Sequence, residues 1–265
     1  MSTAQAERPR RSSSARYRQT LWLLTSRDLK VRYSTSALGY VWSILDPLVM
    51  AGIYFFVFQV VFRRSVGDDP YIVFLLSGLL PWMWFTGAVS DSTRAFLREA
   101  KLVRSTKIPR TIWVLRLVAS KGIEFALSLP VLALFAVLGG AQLHWQVVFF
   151  PVAMALQAVL VAGVGLLVAP LVVFFRDLER ATKLALRFLF YASPIIYGTR
   201  DLPESLHLLA AFNPLSGIFG LYRSAFFPEQ LDLTEALVGA GMCFVLLAVG
   251  LAVFRLSERA VLKEI

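Results

Sequence analysis

From Phe125 to Phe175 the chain runs for 51 residues without an Asp, Glu, Lys or Arg. A water-facing helix or strand interrupts its apolar side with charge every few positions, so a run of this length excludes an ordinary soluble fold. A helix that crosses the hydrocarbon core takes about 20 residues, which makes the run long enough for two crossings. Gly139-Gly140-Ala141-Gln142, followed by His144-Trp145-Gln146, is the natural turn between them, because paired glycines break helices and polar residues seek the interface. Residues 70–90 carry no charge, and 33–62 carry only Asp46. Further crossings fall near 181–198 and 236–254. Residues 205–222 are also uncharged, but Asn213-Pro214 and the nearby glycines suit short re-entrant or interfacial helices better than a seventh crossing.

The expected fold class is therefore an all-α membrane protein. It has six transmembrane helices, an N-terminal amphipathic interfacial helix and short re-entrant outer helices between spans 5 and 6. With 57% hydrophobic residues and a mean hydropathy of +0.66, a chain of 265 residues has no room left for a folded extramembranous domain. Any soluble engine must be another chain. The expected organisation is a disordered basic arm at 1–16, an interfacial amphipathic helix at 17–36 and a six-span unit at 37–265. Arg10-Arg11 lies too far ahead of the first apolar run for a twin-arginine signal, and the chain reads as uncleaved.

The charge distribution sets the orientation. With the N-terminus inside, all of the 27 Lys and Arg residues except Arg63, Arg64, Arg200 and Arg223 fall on the inner side. Asp68, Asp69, Asp201, Glu204, Glu229, Asp232 and Glu235 make the outer loops acidic. A seventh crossing would carry Arg255, Arg259 and Lys263 outside, against the positive-inside rule. Both termini are thus expected in the cytoplasm of a multi-pass plasma-membrane protein. The net charge of +10 then reflects topology, and nucleic acid is not needed to explain it.

Several chemistries are excluded. Cys243 stands alone, and His144 and His207 fall in outer loops, so neither a disulfide scaffold nor a metal cluster is expected. No G-x-x-x-x-G-K-[ST] phosphate cradle occurs, hence the chain is expected to be no enzyme and to carry no cofactor of its own. The intramembrane ionisable residues Asp46, Asp91, Lys121 and Glu124 all lie near the inner boundary, where Lys snorkels and Asp caps or faces water. The absence of a carboxylate relay at mid-membrane argues against an ion-coupled carrier.

Three features remain as candidate sites. In 17–36, Arg27, Lys30, Arg32 and Tyr33 are interleaved with leucines, as suits either a lipid-anchored interfacial helix or a site for an anionic headgroup. In 94–116, Arg94, Arg98, Lys101, Arg104, Lys107 and Arg110 recur every three or four positions up to Pro109-Arg110. This basic run is longer than a positive-inside loop requires and suits a partner-docking helix. Aromatic residues crowd spans 1 and 5, among them Trp42, Tyr54, Phe58 and Tyr191. They fit interface belts and lipid-facing positions, or flat platforms that stack the C–H faces of sugar rings.

The order of these motifs resembles the type-2 ABC exporter permeases that move lipid-linked polysaccharides such as O-antigen, teichoic acid, capsule and galactan. The resemblance runs from about residue 20 to the C-terminus. It is carried by Arg27-Asp28-Leu29-Lys30-Val31-Arg32-Tyr33, Leu38-Gly39-Tyr40-Val41-Trp42 with Pro47, and Leu102-Val103 through Lys107-Ile108-Pro109-Arg110. It continues through Phe175-Arg176-Asp177-Leu178, Ser193-Pro194-Ile195-Ile196-Tyr197, and Asn213-Pro214 with Tyr222-Arg223. Asp46 departs from the Asn common before the proline. The resemblance implies a homodimer in a bacterial inner membrane, working with two copies of a separate ATP-binding subunit that holds ATP and Mg. It implies a coupling helix near 94–110 that uses Arg98, Lys101, Arg104, Lys107 and Arg110. It also implies a polyprenyl-linked polysaccharide as substrate, taken at Arg27, Lys30, Arg32 and Tyr33 and guided by Trp42, Tyr54, Phe58 and Tyr191 between spans 1 and 5. A high-GC composition favours galactan. A drug or glycolipid exporter of the same superfamily is the alternative.

Overall fold

The computed structural model describes residues 13–34, 38–61 and 68–265, and within them the regular structure is helical throughout. The ten α-helices are α1 (Ser13–Ser34), α2 (Trp42–Phe55), α3 (Tyr71–Ser92), α4 (Ala100–Ser105), α5 (Ile112–Leu138), α6 (Phe149–Phe174), α7 (Leu178–Ala192), α8 (Glu204–Phe212), α9 (Pro214–Arg223) and α10 (Leu233–Glu264). Four stretches are long and apolar enough to cross a membrane: α3, α5, α6 with its preceding turn from Trp145, and α10. The α2 helix passes directly into a π-helical turn, Phe56–Val61, which extends it without a break.

The α3 helix is the hub. Val73, Phe74, Leu75 and Leu76 are wholly buried, and α2, α5, α6, α7 and α9 all pack against it. A second apolar cluster ties one end of the bundle together. Leu24 of α1, Val103 of α4, Trp113 of α5, Leu166 of α6 and Phe254 of α10 meet there. The opposite end gathers the turn after α5, α8 and α9. His144 N–H donates to the Ala225 carbonyl at 2.9 Å, and Gln230 Nε2 donates to Asp68 at 2.8 Å.

Helix ends follow local chemistry. Gly140 takes φ +70°, and Ala141 N–H returns to the Ala136 carbonyl, closing α5 in a Schellman turn at the expected glycine pair. Pro194 forces Ser193 out of the helical region (ψ 148°), so α7 stops at Ala192. In the same way Asn213 is extended ahead of Pro214; its side chain accepts from Leu215 N–H and donates to Ser193 Oγ at 2.8 Å, joining two helix breaks. Asp232 caps α10 by accepting from the backbone N–H groups of Thr234 and Glu235.

Three sequence expectations change. Residues 1–12, 35–37 and 62–67, with most of the expected arm, Phe62, Arg63 and Arg64, lie outside the described residues. Ser13 to Arg16, assigned to that arm, open α1, because Leu21 and Leu24 find a packing partner that lets the helix extend backward. The docking helix expected over 94–110 contracts to α4: residues 93–99 form turns that seat Ala95 and Phe96 in the core, and 106–109 are unwound ahead of Pro109. Arg223, counted as an outer-loop charge, is 1% exposed. Its guanidinium lies 3.7 Å from the Phe74 ring centroid and donates to the Ile195 and Tyr197 carbonyls at 2.6 and 3.1 Å, satisfying the backbone that Pro194 releases from α7.

The tightest helix contact is between α6 and α10. A Cβ on Gly250 would lie 2.1 Å from the Gly163 carbonyl oxygen, and one on Gly163 would lie 2.6 Å from Leu247 N, so only glycine permits this approach. Gly250→Val is expected to destabilise the chain by about 2 kcal/mol or more, read as lower thermal stability in detergent. Gly241→Ala, at a site with nothing within 4 Å, should leave the melting temperature unchanged.

Candidate functional site

At the end where α1 packs, basic and acidic side chains from separate parts of the chain interlock. Arg32 on α1 donates from Nη1 to Glu124 Oε1 of α5 at 2.5 Å and from Nη2 to Asp91 Oδ2 of α3 at 3.0 Å. Lys121 Nζ donates to the other Glu124 oxygen at 2.8 Å. One turn earlier on α1, Asp28 accepts from Arg116 Nη1 at 2.7 Å, and Arg27 pairs with Glu99. Arg116 is only 4% exposed, so this pair is protected from solvent screening. Burial pushes the Asp28 carboxyl above its ordinary range, although Arg116 and Arg27 pull it down. Arg94 extends the network to Glu179 at the start of α7 at 2.6 Å.

Beneath this clamp lies a cavity of about 360 Å³. Arg32, Tyr33, Trp42, Asp46, Lys121 and Glu124 are among its lining residues. Two of the expected headgroup-site residues, Arg32 and Tyr33, therefore meet in one place, together with Trp42 of the expected aromatic set. Arg27 is turned to the neighbouring charged pocket with Asp28, Glu99 and Arg116, and Lys30 is exposed without an ion pair among the described residues.

A second groove of about 520 Å³ separates α2, α3 and α7. Tyr54 stacks on Phe190 at 5.5 Å between centroids, Phe190 meets Trp82 edge-on at 5.6 Å, and Tyr191 packs edge-on against Phe190 at 5.1 Å. The expected pair Tyr54 and Tyr191 is thus brought together, whereas Trp42 lines the cavity below instead. The Phe58 side chain lies outside the described residues. Trp82, Phe190, Lys183 and Arg187 complete the groove. The sequence signal for the first two was the aromatic crowding itself, and for the cations their spacing of four along α7, which sets them on one face.

Four of the five expected docking residues form an outward basic rim. Arg98, Lys101, Arg104 and Lys107 are exposed around Val103, which is wholly buried and anchors α4. Arg110 instead folds back, donating to the Thr106 and Ile108 carbonyls at 3.2 and 2.6 Å, and closes the unwound stretch after α4. The carboxylates of the clamp, Asp28, Asp91, Glu99 and Glu124, were not anticipated as one set, because their partners lie as many as 92 positions away.

The ABC-2 type transporter family model matches residues 19–227. The chain is 34% identical over 236 residues to the O-antigen export system permease protein RfbA of Klebsiella pneumoniae, covering 88% of this chain and 90% of that protein. It is 30% identical to the protein of the same name from Myxococcus xanthus, over 90% of this chain and 92% of that one. It is 24% identical to the polysialic acid transport protein KpsM of Escherichia coli, over 92% and 96%.

Arg32 and Lys30 of α1 separate cleanly. Arg32→Gln is expected to loosen α1 and speed amide exchange within 13–34 about tenfold, equivalent to about 1.4 kcal/mol, because it removes the α1 cation that Glu124 and Asp91 share. Lys30→Gln should leave the exchange pattern unchanged. Equal protection in both variants would show that the clamp contributes nothing to holding α1.

Proposed function

The chain belongs to the ABC-2 type transporter family, and on that premise we propose that it is the permease of an ATP-driven exporter of lipid-linked polysaccharide in the bacterial inner membrane. The observation that carries the reading is the 34% identity to an O-antigen export permease across 88% of the chain. In this reading a separate ATP-binding subunit, present in two copies, supplies ATP, Mg and hydrolysis, and two copies of this chain form the conduit. The clamp end with α1 and α4 faces the cytoplasm, as do both termini, and a galactan or O-antigen-like glycan leaves at the end formed by α8 and α9.

Six crossings follow from four long helices plus two composite ones. Trp42 to Val61 supplies the first, and α7 with Ser193–Gly198 supplies the fifth. The α8 and α9 helices, short and broken at Asn213-Pro214, then act as re-entrant outer helices. Residues 17–36 serve as the interfacial helix and 37–265 as the transmembrane unit. The outward faces of α2 (Val49, Met50, Ile53) and α7 (Leu184, Phe188, Tyr191) are apolar and exposed in the single chain, which suits their meeting a second copy.

Work is divided among the named residues. Arg27, Lys30, Arg32 and Tyr33 receive the diphosphate of a polyprenyl carrier at headgroup depth, where a charge-assisted hydrogen bond gains strength from lower dielectric. Trp42, Tyr54, Phe58 and Tyr191 offer shallow stacking surfaces that guide a hydrated glycan without trapping it. Arg98, Lys101, Arg104, Lys107 and Arg110 surround the short coupling element, whose buried Val103 transmits movement of the partner into the bundle.

Cells lacking the chain are expected to lose surface polysaccharide and to accumulate it on the inner leaflet; unaltered surface glycan would contradict the reading. Arg104→Glu with Lys107→Glu should insert normally, fail to restore surface glycan and reduce co-purification of the ATP-binding subunit about tenfold, since reversed charge at a docking rim repels its partner.

A further inference from the structure

Each oxygen of the Glu124 carboxylate holds one cation. Oε1 takes Arg32 from α1, and Oε2 takes Lys121 from one turn earlier on α5. Both cations, the carboxylate, Tyr33 and Trp42 line the same cavity. Two positive groups from different elements therefore converge on one anionic point inside a partly enclosed space. A phosphate oxygen edge matches this arrangement as well as a carboxylate does, because the arginine Nη1 donates to either and the ammonium acts as a point charge.

We infer that Glu124 is a resident competitor at the anion position of this cavity, and that it sets which phosphate-bearing lipids Arg32 and Lys121 accept. The inference rests on the reading that this cluster receives a lipid diphosphate. Before binding, Glu124 keeps the two cations neutralised and aimed at one point. A diphosphate must displace it, and its higher charge and larger number of acceptor oxygens offset the loss of the Glu124 contacts. A phosphodiester headgroup with a single charge gains too little to do so. Bulk acidic phospholipid, present in far greater amount, is thereby turned away.

Arg32 stays partly neutralised throughout, because Asp91 holds its second nitrogen at 3.0 Å. The helix α1 is consequently not released when Glu124 lets go. Asp46, exposed and also lining the cavity, adds negative charge against any anion that lacks strong contacts to both cations.

The test uses the full chain with its ATP-binding subunit in nanodiscs and farnesyl diphosphate as the probe, with phosphatidylglycerol and inorganic pyrophosphate as competitors. Wild type is expected to bind the probe with little competition from phosphatidylglycerol. Glu124→Gln should bind it about tenfold more tightly and become sensitive to phosphatidylglycerol, because a neutral amide neither repels nor competes. Glu124→Asp, which keeps the charge but withdraws it, should fall between the two and serves if the Gln variant is not monodisperse. Competition by pyrophosphate as strong as by the lipid diphosphate would mean that the site reads free phosphate, and would overturn the lipid assignment. If Arg32→Gln weakens probe binding but Glu124→Gln does not strengthen it, the competitor role of Glu124 is wrong while the diphosphate site stands. If Arg32→Gln leaves binding unchanged, the diphosphate site itself fails, and the inference with it.

Discussion

The attachment of α1 to the bundle depends on carboxylates held between cations. Arg32 reaches two helices at once, Arg116 is buried against Asp28, and Arg27 holds the turn before α4 through Glu99. Removing one member of such a set is costly, because the remaining charge is left poorly solvated. The same contacts that fix α1 therefore also determine where the cavity beneath it opens, which cations face it and how the turn leading into α4 is seated. A helix held only by its leucines would lie on the bundle without registering these groups.

The rest of the fold supplies a rigid frame for that clamp. Close approach of α6 and α10 at Gly163 and Gly250 leaves no freedom at the back of the bundle, while α3 is buried along nearly its whole length. Against this frame, the breaks at Ser193-Pro194 and Asn213-Pro214 stay intact because their exposed backbone groups are satisfied from within. Arg223 serves the first and the Asn213 side chain the second through Leu215 N–H, while Asn213 also ties the two together through Ser193 Oγ. Backbone groups freed by a helix break must find partners when buried, and here a buried cation supplies them.

Periodicity and charge spacing made the helical class, the long apolar helices, the Gly139-Gly140 turn and the Asn213-Pro214 break legible, because each arises from contacts within a few residues, whereas the expected crossing at 181–198 ran through Pro194, where the helix stops. Three things were hidden. The length of the docking helix depended on Ala95 and Phe96 entering the core, which local basic spacing does not encode. The role of Arg223 was invisible because its acceptors are backbone carbonyls released 28 positions earlier. The clamp carboxylates looked like isolated boundary residues, and only tertiary packing joins Glu124 to Arg32. Among the candidate site residues, Arg32, Tyr33 and Trp42 converge, Tyr54 and Tyr191 pair in a separate groove, and Lys30 stands apart.

Substrate entry at the clamp is the central claim, and site-specific photocross-linking tests it most directly. With p-benzoylphenylalanine in place of Trp42 inside the cavity, or of Trp145 at the far end, membranes making the lipid-linked glycan are irradiated with the ATP-binding subunit blocked before hydrolysis. The account predicts glycolipid adducts at position 42 that disappear when Arg32 is also replaced by Gln, and none at position 145. Adducts at position 145 alone, or adducts at 42 that are indifferent to Arg32, would contradict it.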